Sequence, residues 1–298
     1  MREPNQSGPL AALGVWAALH YVPESRSERA APIDVPGALL ATLALGSIVY
    51  ALIEGPRAGW DALALSAAGI GVVTSIAFMV VERRARAPML PLDTFSSLQF
   101  RGANLATLAI YFALGGIFFL LVLQLQQVLG YSAFEAGAAL TPITLLLLLL
   151  SPVAGKVGSK FGQRWPMTLG PLIAAVGAAL LTRLSPGAPY VTTVLPGVAT
   201  LGLGLGCTVA PLTNAVFDAV APERTGIASA INNAVARTAG LLAVALLPAL
   251  ARVGGAASPA TSSHGFIRAM WICAAASVAG ALCALATVER RTRAADRR

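Results

Sequence analysis

Nine apolar runs, most of them close to a bilayer's thickness as helices, are separated by short polar segments, and the cations collect in alternate segments. The hydrocarbon core of a membrane is about 30 Å thick, and an α-helix needs ~20 apolar residues to cross it. In lipid every backbone N–H and C=O has to be paired within the protein, so such runs are helices or strands of a closed barrel. Few of them alternate with period two, which argues against a barrel. Charged residues make up only 11% of the chain, where a soluble domain carries roughly a quarter. Mean hydropathy is +0.74. The fold class expected is all-α, a polytopic transmembrane helical bundle.

The first run, Pro9–Val22, is short for a crossing and resembles the second half of a helix. A charged linker leads to Asp34. Full spans are expected at Pro36–Ile53, Ala62–Val81, Gly102–Leu123, Phe134–Ala154, Pro166–Leu184, Tyr190–Phe217, Gly226–Val253 and Phe266–Val288. A proline-containing linker, Ala87–Phe100, is the longest connection on its side. Between the fifth and sixth spans lies a basic stretch with three glycines, Gly155–Arg164, expected to be a tight loop. If that loop is cytoplasmic, fifteen of the 21 Lys and Arg residues are cytoplasmic and five are outside. The bias follows the positive-inside rule. It predicts nine crossings, with the N-terminus outside and the C-terminus in the cytoplasm. An odd number is unusual for transporters built of paired repeats.

Composition also narrows the function. The net charge of +8 could suggest nucleic acid. The cations sit between membrane runs, where topology explains them, so no nucleic-acid partner is expected. Cys207, Cys273 and Cys283 all lie in apolar spans and form no disulfide framework. His20 and His264 are far apart, so no metal and no cofactor is expected. No phosphate-binding loop supports ATP drive. No nucleophile–base pair appears in any span, which argues against an enzyme. Gly202, Gly204 and Gly206 lack the strand and the acid of a dinucleotide fingerprint. They suit close helix packing, or a deformable helix when combined with Pro196 and Pro211.

Gly155, Lys160, Gly162 and Arg164 match the loop Gly-x-x-x-Asp-(Arg/Lys)-x-Gly-x-(Arg/Lys), with Ser159 in place of the acid. Other matching stretches are Val22–Arg26 with Asp34–Gly37, Gly59-Trp60, Pro88–Leu92, Leu123–Gln126, Gly130–Ser132, Ala136–Pro142, and Gly226–Asn233 through Arg237 and Gly240. As a set they resemble the major facilitator superfamily, and within it the 14-helix drug:proton antiporters. The resemblance covers about residues 9–290 and only the family's last nine helices. It implies four regions: a partial sixth helix and linker (1–33), two extra membrane helices and linker (34–100), a C-terminal six-helix transporter domain (101–289) and a basic tail (290–298). It implies a plasma-membrane secondary transporter, exporting hydrophobic or cationic small molecules and driven by the proton gradient. The family's first-helix acid and fifth-helix antiporter signature have no counterpart here. The expectation is therefore a truncated product or a chain that needs a partner half or a second transporter chain, besides the lipid bilayer and a small-molecule substrate. The alternative is a non-transporting remnant that associates with a full-length antiporter.

Arg237 is the sharpest candidate for a substrate cavity, about ten residues into its span. An ionisable group at that depth faces an aqueous cavity or a partner; packing against neighbouring backbone is the other reading. Asn233 is one turn before it on the same face. Asn232, Asn104 and Asn214 are polar in or near spans, suited to substrate contact or to interhelical bonds. Gln124 and Gln127 share a face and could line an outer mouth. Gly155, Lys160, Gly162 and Arg164 are candidates for a cytoplasmic gate, or mark topology alone. None of the thirteen acids falls at the centre of a span.

Overall fold

Glycine, proline and short side-chain caps set the helix boundaries. The computed structural model describes residues 15–16, 19–20, 34–85, 90, 92–251 and 259–289. Most of the first apolar run and all of the basic tail lie outside them. Contacts divide the chain into Met1–Asp34 and Val35–Arg298. In the first unit the Trp16 and His20 rings stack at 4.9 Å.

The second unit begins with a helical hairpin, α1 (Val35–Ala58) and α2 (Ala62–Arg84). Its turn uses two left-handed residues, Gly59 (φ 68°) and Trp60 (φ 58°). The Trp60 N–H donates to Gly55 O at 2.7 Å, and the indole lies against Gly55, where a side chain would collide with it. Asp61 then caps α2 by accepting from Ala64 N at 2.8 Å. At the far end Glu82, buried, accepts the Leu90 N–H at 3.1 Å.

A 3₁₀ turn, Leu92–Ser96, leads into α3 (Leu98–Gln127), capped by Ser97. The expected fifth span is two helices. A short one, α4 (Ala133–Ala139), opens with a reciprocal cap between Ser132 and Glu135. Leu140 breaks it, and α5 (Thr141–Phe161) restarts with Pro142 in its first turn. Proline has no N–H, so it costs least in that first turn; the same helix also carries Pro152 in its interior.

The expected loop Gly155–Arg164 is mostly helix. Helix α5 runs on to Phe161, and only Gly162 and Gln163 separate it from α6 (Arg164–Leu181). Gly162 takes φ 97°, which a side chain would resist. Lys160 sits in the last turn, where a cation favours the negative end of the helix dipole. The Ser159 hydroxyl donates to Lys156 O at 3.0 Å. A π-helical turn, Tyr190–Val194, precedes α7 (Leu195–Asp218). A 3₁₀ turn, Pro222–Arg224, precedes α8 (Thr225–Leu250), and α9 (Pro259–Thr287) closes the bundle. Eight helical segments are long and apolar enough to cross a membrane among the described residues.

Spatial order differs from chain order. The main packing pairs place the helices in a row, α8–α3–α9–α6–α7–α5. Lesser contacts of α7 with α3 and with α8 curve it. The hairpin attaches at one end, through α1 against α8. Burial follows this order. Half of the α6 and α7 spans is buried, and 44% of α3 and α9, against 22% of the α8 span and 17% of the α5 span. The two ends of the row thus present open faces.

Small residues make the row tight. On α7, Gly197 and Gly204 face α6, and Gly202 and Gly206 face α5. A Cβ at Gly204 would sit 2.5 Å from Ala174 N and 2.6 Å from Gly170 O. One at Gly206 would sit 2.7 Å from Leu150 Cβ. Without a hydrophobic drive in lipid, such close backbone approach is what holds helices together.

Candidate functional site

A polar link between helices lies in the seam between α3 and α8. Helix periodicity puts Asn104, Thr107 and Tyr111 on one stripe of α3, at i, i+3 and i+7. Asn232 of α8 faces the first two. Its Nδ2 donates to Thr107 Oγ1 at 2.7 Å and to Asn104 Oδ1 at 3.3 Å. The remaining donors point back into α3: Asn104 Nδ2 to Phe100 O at 2.9 Å, and Thr107 Oγ1 to Ala103 O at 2.9 Å. Farther along, Tyr111 and Arg237 lie within electrostatic reach of each other. Beyond them the helices cross at two glycines, where a Cβ on Gly115 would lie 2.8 Å from Gly240 Cα. Contact numbers rise together on both helices, so they run parallel.

This seam separates the sequence candidates. Asn104 is buried at 6% exposure and bonded to its neighbours, so it cross-links helices. Asn233, one residue from Asn232, is turned about 100° away. It is exposed, and its Nδ2 returns to Ser229 O at 3.0 Å. Arg237 is exposed on the same side. It makes no hydrogen bond or ion pair among the described residues. Ala230, Asn233, Ala234, Arg237 and Leu241 form one open stripe of α8. Arg237 lies about 18 Å along the helix from Thr225 at ~1.5 Å per residue, near the middle of the span.

The other candidates are dispersed. Gln124 and Gln127 lie at the far end of α3. Gln124 is buried beside Leu121 and Leu125 with its Nε2 unpartnered, while Gln127 is exposed. Asn214 approaches Gly155 at the α5–α7 contact. Lys156 and Lys160 are exposed, and Lys160 Nζ lies 5.4 Å from the Phe161 ring centre. Gly158 accommodates the side chain of Gln163, which is buried, and Arg164 starts α6.

Sequence reasoning missed Thr107 and Tyr111. The stripe spacing from Asn104 was the available signal. It also missed a tie between two connections, in which Arg224 meets Asp93 at 2.6 Å. The hydrogen bond from Arg224 holds the Asp93 carboxyl below its ordinary value. Nearby, Gln99 Nε2 donates to Ala215 O at 3.1 Å, and Gln99 Oε1 accepts from Glu289 N at 3.5 Å. No group of three His, Cys, Asp or Glu residues that could hold a metal occurs among the described residues.

The architecture is a row of membrane-length apolar helices with glycine seams and a polar link, and comparison with known families says which family it is. The family model of the Major Facilitator Superfamily matches residues 7–245 and, in a second alignment, residues 103–298. The chain belongs to the Major Facilitator Superfamily. It is 33% identical to a puromycin resistance protein of Streptomyces alboniger, over 97% of this chain and 60% of that protein. A methylenomycin A resistance protein of Streptomyces coelicolor is 32% identical over 80% of this chain and 50% of its own length. The multidrug resistance protein Stp of Mycobacterium tuberculosis is 32% identical over 76% of this chain and 42% of its own length. The chain thus spans about half the length of the curated relatives it matches.

Proposed function

We propose that this superfamily chain forms one wall of the pathway of a proton-coupled exporter of hydrophobic or cationic small molecules. The observation that carries the reading is the open stripe of α8. It holds a guanidinium and an amide at mid-membrane depth, with no ion pair among the described residues. A charge facing acyl chains there is costly, so such a side faces water or another protein surface. The relatives' names add the substrate class, since they confer resistance to puromycin, to methylenomycin A and to multiple drugs. In this superfamily two halves rock about a midplane site. The present chain contributes the half that carries α3, α5, α7 and α8, and a second half supplies the opposing wall and the protonated carboxylate.

The orientation of the α8 stripe is tested by cysteine labelling in membranes, with Cys207, Cys273 and Cys283 replaced by alanine. A water-soluble maleimide should label Asn233→Cys and Ala230→Cys and leave Ala239→Cys, which is buried, untouched. Uniform silence at 230 and 233 would place the stripe in lipid and sink the reading. Export itself is read from dye uptake into inverted vesicles, with the chain co-expressed with the N-terminal half of the puromycin resistance relative. Uptake should collapse with an uncoupler and fail in Arg237→Ala.

A further inference from the structure

Away from the α3–α8 seam, at the end of the bundle opposite Gly162, a shallow cleft of about 420 Å³ is lined by Tyr131, Glu135, Ala138, Ala139 and Tyr190. The volume suits a small organic ligand. Two tyrosines and a glutamate line it, and no cationic residue does. The alanines keep its floor low. Each wall is held by a hydrogen bond. Tyr190 Oη donates to Ala139 O at 3.1 Å. The Tyr131 N–H donates to Leu125 O at 3.0 Å, tying it to the end of α3. Glu135 Oε2 accepts the Ser132 N–H at 2.8 Å. Glu135 is exposed, and a carboxylate in water is ionised at neutral pH.

We propose that this cleft is a binding site for an organic ammonium group, with Tyr131 and Tyr190 offering ring faces and Glu135 the counter-charge. The rings' negative faces attract a cation, and they do so without stripping it fully of water. An anion would meet Glu135 directly, and a neutral apolar ligand would leave that charge unused. The site does not depend on the α8 stripe facing water. The same ammonium chemistry is carried by dissolved amines and by choline lipid headgroups.

The test uses the purified full chain and two probes, choline and its uncharged carbon isostere 3,3-dimethylbutan-1-ol, titrated by saturation-transfer NMR. Choline should bind at least about tenfold more tightly than the isostere. Glu135→Gln should weaken choline roughly fivefold and leave the isostere unchanged, and Tyr131→Ala should weaken choline by a similar factor. Glutamine preserves the reciprocal cap with Ser132, so the first variant keeps the local fold, which circular dichroism checks. Equal affinity for both probes, or unchanged choline binding in both variants, would overturn the proposal. The sources are separated in bilayer discs. Choline binding in both phosphatidylglycerol and phosphatidylcholine discs assigns the site to dissolved amines. Loss only in phosphatidylcholine assigns it to the lipid headgroup. Loss in both would show that a bilayer closes the cleft and would refute the site.

Discussion

Consecutive helices α7 and α8 are similar in length and apolar content, yet the protein treats them in opposite ways. Helix α7 lies inside the row, with half of its span buried and glycines on two sides. Helix α8 lies at one end, with 22% of its span buried. Its inner side carries Asn232 among the buried apolar residues Ala228, Ala239, Ala243 and Leu247, and its outer side carries Asn233 and Arg237. The difference shows that polarity within a span does not by itself mark a working residue. Thr208 of α7 is buried and donates to Gly204 O at 2.6 Å, within its own helix. Asn232 is spent on a seam. Only the groups turned out of the row remain available to a ligand or a second protein.

The comparison breaks most visibly at Gly204. Valine there would drive carbons into Ala174 N and Gly170 O, and overpacking of this kind costs about 3 kcal/mol. Gly204→Val should lower the thermal midpoint in detergent far more than Gly240→Ala, whose new methyl has open space around it. Equal midpoints would mean that the α6–α7 contact yields easily. A smaller effect is expected at the seam. Asn232→Ala removes the donor to Thr107 and Asn104 and should cost about 1 kcal/mol, as interhelical bonds in lipid do. The double variant with Thr107→Ala should cost less than the sum of the two single changes, because the pair is coupled. Strict additivity would show that the bond contributes nothing.

The outer side of α8 should behave in the reverse sense. Arg237→Ala is expected to change stability by less than about 0.5 kcal/mol, while dye transport by the proposed exporter is lost. A large fall in stability would make Arg237 a packing residue. The smallest effect belongs to the tie at the start of α8. Asp93 has its acid strength raised by Arg224, so the bond is present above the ordinary carboxylate value near pH ~4. It is lost as pH falls through the lowered folded value. Hydrogen exchange in residues 92–96 should therefore quicken below pH ~4 in the parent and be insensitive to pH in Arg224→Gln, after correction for intrinsic rates.

Much of the bundle could be read from the chain because lipid punishes unpaired backbone, so run length alone locates helices. The boundaries were less legible. Gly155–Arg164 looked like a loop from its glycines and cations. Gly155 and Gly158 instead serve as contact surfaces for Ala210 and Gln163, and only Gly162 turns the chain. Composition cannot distinguish a glycine that bends from one that touches. The site was legible in part. Arg237 and Asn233 fall on one stripe by arithmetic, and the structure places both on the open side. Asn104 was a cavity candidate, but it pairs with Asn232, and a pairing between residues 128 apart leaves no local pattern. Gln124 and Gln127 are about 60° apart around α3, enough to put one in the core and the other at the surface.

The two-sided glycine pattern of α7 bears on how such a chain can change over generations. A substitution that enlarges Gly204 presses on α6, and one that enlarges Gly206 presses on α5, so relief in one neighbour does nothing for the other. Acceptable change along α7 therefore requires coordinated steps in three helices. The outer stripe of α8 has no such packing partners within the described bundle, and a single substitution there meets no steric cost from a neighbouring helix. Change in the packed α6–α7–α5 seams is thus coupled across helices, while change on the open side of α8 is not.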